Sequence, residues 1–171
     1  EFYFPHRAET NIDGTYSIPD IPAGTYIIHA DGKTGRWETE KALYNEVYYP
    51  NSPDIQGASR ISLTADKTNM DFVLSGHYII GTITEEATGK AVSGQHIRVF
   101  NTNWDDVKAN FSNNAGEYYI GRLEPDRYFA GSVDPPYLPK YYDNVDKKEN
   151  ATLIDLNTRV GLLNVNFSLT P

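Results

Sequence analysis

The sequence predicts an all-β protein of two tandem antiparallel β-sandwich modules, and three observations carry that expectation. The first is an internal repeat. Gly14, Tyr16, Ile18, Ile21 and Tyr26 recur as Gly116, Tyr118, Ile120, Leu123 and Tyr128, all displaced by the same 102 positions. Tyr48-Tyr49-Pro50-Asn51 returns as Tyr141-Tyr142-Asp143-Asn144, and Met70-Asp71-Phe72-Val73-Leu74 as Val165-Asn166-Phe167-Ser168-Leu169. Self-similarity of this kind marks one structural unit used twice. The second observation is period-two alternation of apolar and polar residues, with no sustained helical period. The third is composition: 13 Gly and 10 Pro supply turns, and 13 Tyr, 7 Phe and 2 Trp supply aromatic bulk for two thin cores.

Two modules are expected, an incomplete one over 1–75 and a complete one over 76–171. In the second, Ile79, Gly81 and Ile83 alternate with Tyr78, Ile80, Thr82 and Thr84 on a leading strand. Further strands are expected at 95–100, 107–112, 117–120, 127–133, 140–144 and 162–169. Between them lie the turn signals Thr88-Gly89-Lys90, Asn113-Asn114-Ala115-Gly116, Glu124-Pro125-Asp126 and Pro135-Pro136. About seven short strands in fewer than about 100 residues describe a sandwich. Gly14 and Gly116 stand at hairpin tips, where a positive φ favours glycine. The best helical candidate is one or two turns over Thr39 to Val47.

The first module is predicted to lack its leading strand. Phe2-Tyr3-Phe4 matches the end of the segment Ile97-Arg98-Val99-Phe100, so nothing corresponds to His77 through Gly94. A strand burying four or five apolar side chains contributes on the order of 5–10 kcal/mol, and its absence leaves an edge open to pairing. Residues upstream, a strand lent by a neighbouring chain, or a tolerated short sheet would each account for this. The first module also carries an insertion: the interval Tyr26 to Tyr48 exceeds Tyr128 to Tyr141 by nine residues, and Trp37 lies within it. The junction Leu74-Ser75-Gly76-His77 is short.

A net charge of −8 and a pI near 4.9 argue against nucleic-acid partners and anionic membrane surfaces. No apolar run approaches the ~20 residues of a membrane span, so no membrane insertion is expected. The absence of cysteine excludes disulfides, thiolate nucleophiles and Cys-ligated zinc. Three sequons occur, at Asn110, Asn150 and Asn166. The last falls in a predicted strand, leaving Asn110 and Asn150 as candidate glycosylation sites.

Gly81-Thr82-Ile83, Gly89-Lys90-Ala91-Val92-Ser93-Gly94, Ile97-Arg98-Val99, Gly116-Glu117-Tyr118-Tyr119-Ile120-Gly121-Arg122-Leu123 and Asp126-Arg127-Tyr128 together resemble the carboxypeptidase regulatory-like family. That family has a transthyretin-like/immunoglobulin-like sandwich and stands close to the B-type repeats of collagen adhesins. Val92-Ser93, Ala115 and Asp126 depart from its usual pattern in turn details. The resemblance implies a non-catalytic, secreted or cell-surface accessory or stalk domain. Some adhesin repeats carry a Lys–Asn isopeptide bond, but the strand from Tyr78 to Glu85 has no lysine to face Asn164 or Asn166, so no such crosslink is expected in the second module.

Candidates for chemistry are few. His6, His29, His77 and His96 lack metal-ligand spacing, and Asp105-Asp106, Asp143, Asp146 and Glu149 read as solvated acidic loops. No nucleophile elbow, His-Glu-x-x-His helix or phosphate-binding glycine loop occurs. No cofactor, metal or catalytic residue is expected. The aromatics Trp37, Trp104, Tyr48, Tyr49, Tyr141 and Tyr142 form the candidate contact surface. The leading expectation is a structural protein, a stalk or filament subunit that self-assembles or binds a neighbouring protein, with strand donation into the first module. The alternative is a carbohydrate- or protein-binding accessory domain of a secreted hydrolase or adhesin.

Overall fold

The computed structural model describes residues 6–34 and 41–171. Among the described residues the regular structure is β, apart from one 3₁₀ turn at Lys148–Asn150. The described residues of the amino-terminal half hold six short strands: β1 (Gly24–Tyr26), β2 (His29–Ala30), β3 (Lys33–Thr34), β4 (Lys41–Ala42), β5 (Val47–Tyr48) and β6 (Ile61–Leu63). They pair antiparallel as β1 with β6, β2 with β5 and β3 with β4.

The carboxy-terminal half is a two-sheet sandwich. Its strands are β7 (His77–Glu85), β8 (His96–Phe100), β9 (Asp106–Phe111), β10 (Glu117–Leu123), β11 (Arg127–Ser132), β12 (Lys140–Tyr141), β13 (Ile154–Asp155), β14 (Gly161–Leu162) and β15 (Phe167–Leu169). One sheet centres on β7, with antiparallel β10 on one edge and parallel β14 and β15 on the other. The second runs β12-β11-β8-β9, with β13 paired to the start of β11. Between them Ile79, Ile83, Ile97, Val99, Tyr118, Ile120, Leu123, Phe167 and Leu169 form a buried core. Ile79 and Ile83 point inward on either side of Gly81, as their alternation predicts.

Gly81 fits because there is no room for more. A Cβ there would lie 1.9 Å from the Val165 carbonyl oxygen and 2.9 Å from the Tyr118 ring. The tyrosine hydroxyl donates to that same carbonyl at 2.5 Å.

Some expectations are corrected. The described part of Thr39 to Val47 is not helical: Lys41–Ala42 pair with Lys33–Thr34, and Val47–Tyr48 with His29–Ala30. The strand expected over 162–169 is split into β14 and β15, because Asn164 takes a left-handed φ of 63°. It also runs parallel, not antiparallel, to β7. The strand expected over 140–144 ends at Tyr141, since Asp143 and Asn144 turn at positive φ. Sequence reading missed β13, where Ile154 is buried, with buried Leu156 just beyond it.

The repeat extends to individual hydrogen bonds. The Asn11 N–H donates to the Thr15 carbonyl and the Gly14 N–H to the Asn11 carbonyl, matched by Asn113 to Glu117 and Gly116 to Asn113. Gly14 and Gly116 have φ of 82° and 74°. The Tyr26 hydroxyl donates to the Pro22 carbonyl as Tyr128 does to Glu124. Tyr16 donates to the Met70 carbonyl at 2.5 Å, as Tyr118 does to Val165. The Asn51 side chain accepts from the Val73 N–H and the Asn144 side chain from the Ser168 N–H. Pairing register repeats too: Tyr26 faces Ile61 and Tyr128 faces Ile154, while His29 faces Tyr48 and Gly131 faces Tyr141.

Candidate functional site

Equivalent positions in the two halves differ in burial. Tyr118, Ile120, Leu123, Tyr128, Ala130, Ile154, Leu156, Val165 and Phe167 are buried. Their counterparts Tyr16, Ile18, Ile21, Tyr26, Ile28, Ile61, Leu63, Met70 and Phe72 are only half-buried. Leu74 is 40% exposed where Leu169 is fully enclosed. The strand that covers this surface in the carboxy-terminal half is β7, which lies between β10 and β15. Among the described residues nothing occupies the corresponding place. Gly116 shows the same difference: a Cβ there would meet the Ile83 carbonyl at 2.4 Å, whereas one on Gly14 would meet nothing within 4 Å. Among the described residues the amino-terminal half therefore leaves an apolar slot between two segments. One wall is the segment 15–21. The other is 70–74, joined to the first by the Tyr16–Met70 bond and the tilted contact of Tyr16 with Phe72.

Of the predicted contact aromatics, Trp104 and Tyr141 touch each other, while Tyr48, Tyr49 and Tyr142 each pack elsewhere. Trp104 sits in a tight loop, at φ 67°, where the Asn101 side chain accepts from the Asn103 and Asp105 N–H groups. Its indole stacks on Phe129 at 4.4 Å and 2°, meets Tyr141 edge-on at 5.4 Å, and lies 5.8 Å from the Lys148 ammonium. Tyr48 stacks on His29 at 5.2 Å. The tandem tyrosines divide their work: Tyr49 meets Phe72 edge-on, and Tyr142 packs on the sandwich core. Trp37 lies outside the described residues.

The insertion is an arm laid on the other half. The Arg122 N–H donates to the Leu43 carbonyl, and the Arg122 guanidinium donates to the Tyr44 carbonyl at 2.9 Å and faces Glu46 at 3.6 Å. The Asn45 N–H donates to Ser75 in the junction, and Tyr44 meets Tyr78 edge-on. Gly121 lets the arm approach: its Cβ would fall 2.2 Å from the Ala42 carbonyl. An open depression of about 480 Å³ beside the arm is lined by Asn45, Val47, Asn51, Val73 and Arg122.

Several charged groups are held in internal pairs. Asp134 accepts from His96 Nδ1 at 2.7 Å and from Arg98 Nε at 3.1 Å, and Arg98 also reaches Asp106 at 2.9 Å. Burial pushes the Asp134 carboxyl up, but the hydrogen bonds from Arg98 and His96 outweigh it and hold it below the ordinary value. Lys140, nearly buried, pairs with Asp146 at 2.7 Å. Asp105 accepts from the Asn101 amide, and Asp143 from the Thr152 hydroxyl. Sequence reasoning missed the His96–Arg98–Asp134 group, whose members lie 36 and 38 positions apart. Among the described residues no three or more His, Asp or Glu side chains converge as metal ligands, and no helix is long and apolar enough to cross a membrane. Asn150 is exposed on the 3₁₀ turn, while the Asn110 amide donates to the Tyr119 carbonyl at 2.8 Å.

A scan against protein-family models and a search of curated proteins give no match. Solved structures do resemble the chain. A DUF3823 family protein from Parabacteroides merdae aligns at 16% identity over 56% of this chain and 46% of its own, with a TM-score of 0.38. The major pilin subunit of Bacillus cereus aligns at 10% identity over 87% of this chain and 40% of its own, TM-score 0.42. The shaft pilin SpaA of Lactobacillus rhamnosus GG aligns at 10% identity over 96% and 69%, TM-score 0.38. The chain spans less than half the length of the first two. Likenesses at this level carry nothing about activity or partners, and the all-β description rests on the strands themselves.

Proposed function

We propose that the chain is a non-catalytic extracellular structural unit, a stalk or filament subunit of two tandem modules, 1–75 and 76–171. Its first module is completed by a strand from a neighbouring chain. One observation carries this reading: apolar positions fully buried in the carboxy-terminal half, where β7 is present, are only half-buried among the described residues of the amino-terminal half. Covering them with a strand from outside is β-augmentation, in which main-chain bonds and alternate side chains both contribute. A structural role also fits the internal pairing of Asp106, Asp134 and Asp146 with cations. The resemblance of the Gly-x-Tyr and Leu-x-Pro-x-x-Tyr motifs to carboxypeptidase regulatory-like modules supports a secreted or cell-surface setting, as does an exposed sequon at Asn150. Neither module is assigned a cofactor or metal.

The test is selective unfolding. Diluting the native assembly to monomer should melt the amino-terminal half first, seen as an early, separate transition in calorimetry. A dilute monomer that melts in one transition at unchanged temperature would contradict strand donation. Electron microscopy of native material should show linear assemblies, and a discrete monomer there excludes the filament. A second reading, recognition of carbohydrate or protein, is favoured by the half-buried Trp104 with Tyr141 against it. It would prevail if glycan-array binding were found and disappeared in Trp104→Ala.

A further inference from the structure

We infer that the slot in the amino-terminal half accepts one kind of strand from a separate chain: an extended segment of pattern apolar-x-Gly-x-apolar. This rests on the strand donation proposed above and adds the chemistry of the donor.

The pattern follows from the walls. In the carboxy-terminal half, Ile120 faces Ile79, Tyr118 faces Gly81 and Phe167 faces Ile83 across the two ladders of β7. Both isoleucines are fully buried. The central position is glycine because the Tyr118 ring and the Val165 carbonyl, bonded to each other at 2.5 Å, close over it. In the amino-terminal half that closure is already present: Tyr16 donates to the Met70 carbonyl at the same 2.5 Å. A donor strand must pass beneath this bond, so its residue facing Tyr16 can have no side chain. Two positions before the glycine, an apolar side chain would cover Ile18. Two positions after it, another would lie beside Phe72, since side chains on one face recur every second residue. The strand would run antiparallel to 15–21 and parallel to 70–74. Past its end lies Gly14, with open space over its Cα where Ile83 and Ala91 crowd Gly116.

The probe is the nine-residue peptide HYIIGTITE, the sequence of β7 itself, added to the full chain at monomeric dilution. Hydrogen exchange and titration calorimetry provide the readouts. The expected result is saturable binding that slows exchange over 14–28 and 70–74, with at least about 100-fold weaker binding of the peptide carrying valine in place of its glycine. Three results would overturn the inference. Equal binding of both peptides would show that the slot does not select glycine. No binding of either would reject the donor pattern, while selective melting on dilution would still support strand donation. Protection of 14–28 in the dilute monomer before any peptide is added would show the face covered from within its own polypeptide.

Discussion

Three glycines separate backbone strain from steric exclusion. Gly14→Ala places a Cβ in open space, so only the left-handed φ opposes it, at about 1 kcal/mol. Gly116→Ala adds a 2.4 Å collision with the Ile83 carbonyl and should cost clearly more. Gly81→Val should cost about 3 kcal/mol or more, because backbone and a buried ring both oppose it. Denaturant midpoints of the three variants should fall in that order, and equal losses at Gly14 and Gly116 would contradict the crowding described. The Tyr118 hydroxyl is worth about 1–2 kcal/mol by the same measurement, since Tyr118→Phe leaves a buried carbonyl short of a donor. At Asp134 the consequence appears in acid. Its folded-state value is depressed, so its contribution is present above the ordinary carboxylate value of 3.8 and is lost as pH falls through the lower folded value. Asp134→Asn should therefore remove part of the stability loss seen below pH 3.8, while destabilising the protein at neutral pH. An unchanged acid limb of the stability curve would reject the pairing.

At the scale of elements, legibility followed the source of the signal. The alternation of Ile79, Gly81 and Ile83 is a side-chain pattern, and it located β7 correctly. Glycine spacing likewise placed the matching turns of both halves, whereas the tyrosine hydroxyl bonds came only with the structure. What escaped was made by the backbone or by distant residues. β13 is two residues long, with too few alternations to register. The break in the last strand comes from one left-handed residue, Asn164. The arm was legible as an insertion but not as an internal contact, because it is held to Arg122 through its own Leu43 and Tyr44 carbonyls, which any residue type supplies. The arm also makes a prediction of its own. Gly121→Val should lift it from the sandwich, raising amide exchange at residues 41–45 and the junction while the β8–β11 ladder stays protected. Unchanged exchange at 41–45 would show that the arm does not depend on this approach.

For the whole molecule, the contrast is between a sandwich that covers its own core and a half that leaves the same positions partly open. Phe167→Ala should destabilise the protein by about 3–5 kcal/mol, the usual loss for a buried phenylalanine. Phe72→Ala should cost the monomer much less, and the difference should narrow when a strand fills the slot. Comparing the two variants with and without assembly tests the open face, with Phe167→Ala as the buried reference. The arrangement of β7 also bears on mechanical load. β7 begins the carboxy-terminal half, β15 ends it, and the two are hydrogen-bonded neighbours running parallel. Tension drawn through the chain toward opposite ends of the half would slide these strands lengthwise past each other. Their bonds would then share the force at once instead of opening one by one as a zip does. A unit threaded into a stalk in this way resists extension by its topology, with no covalent crosslink needed.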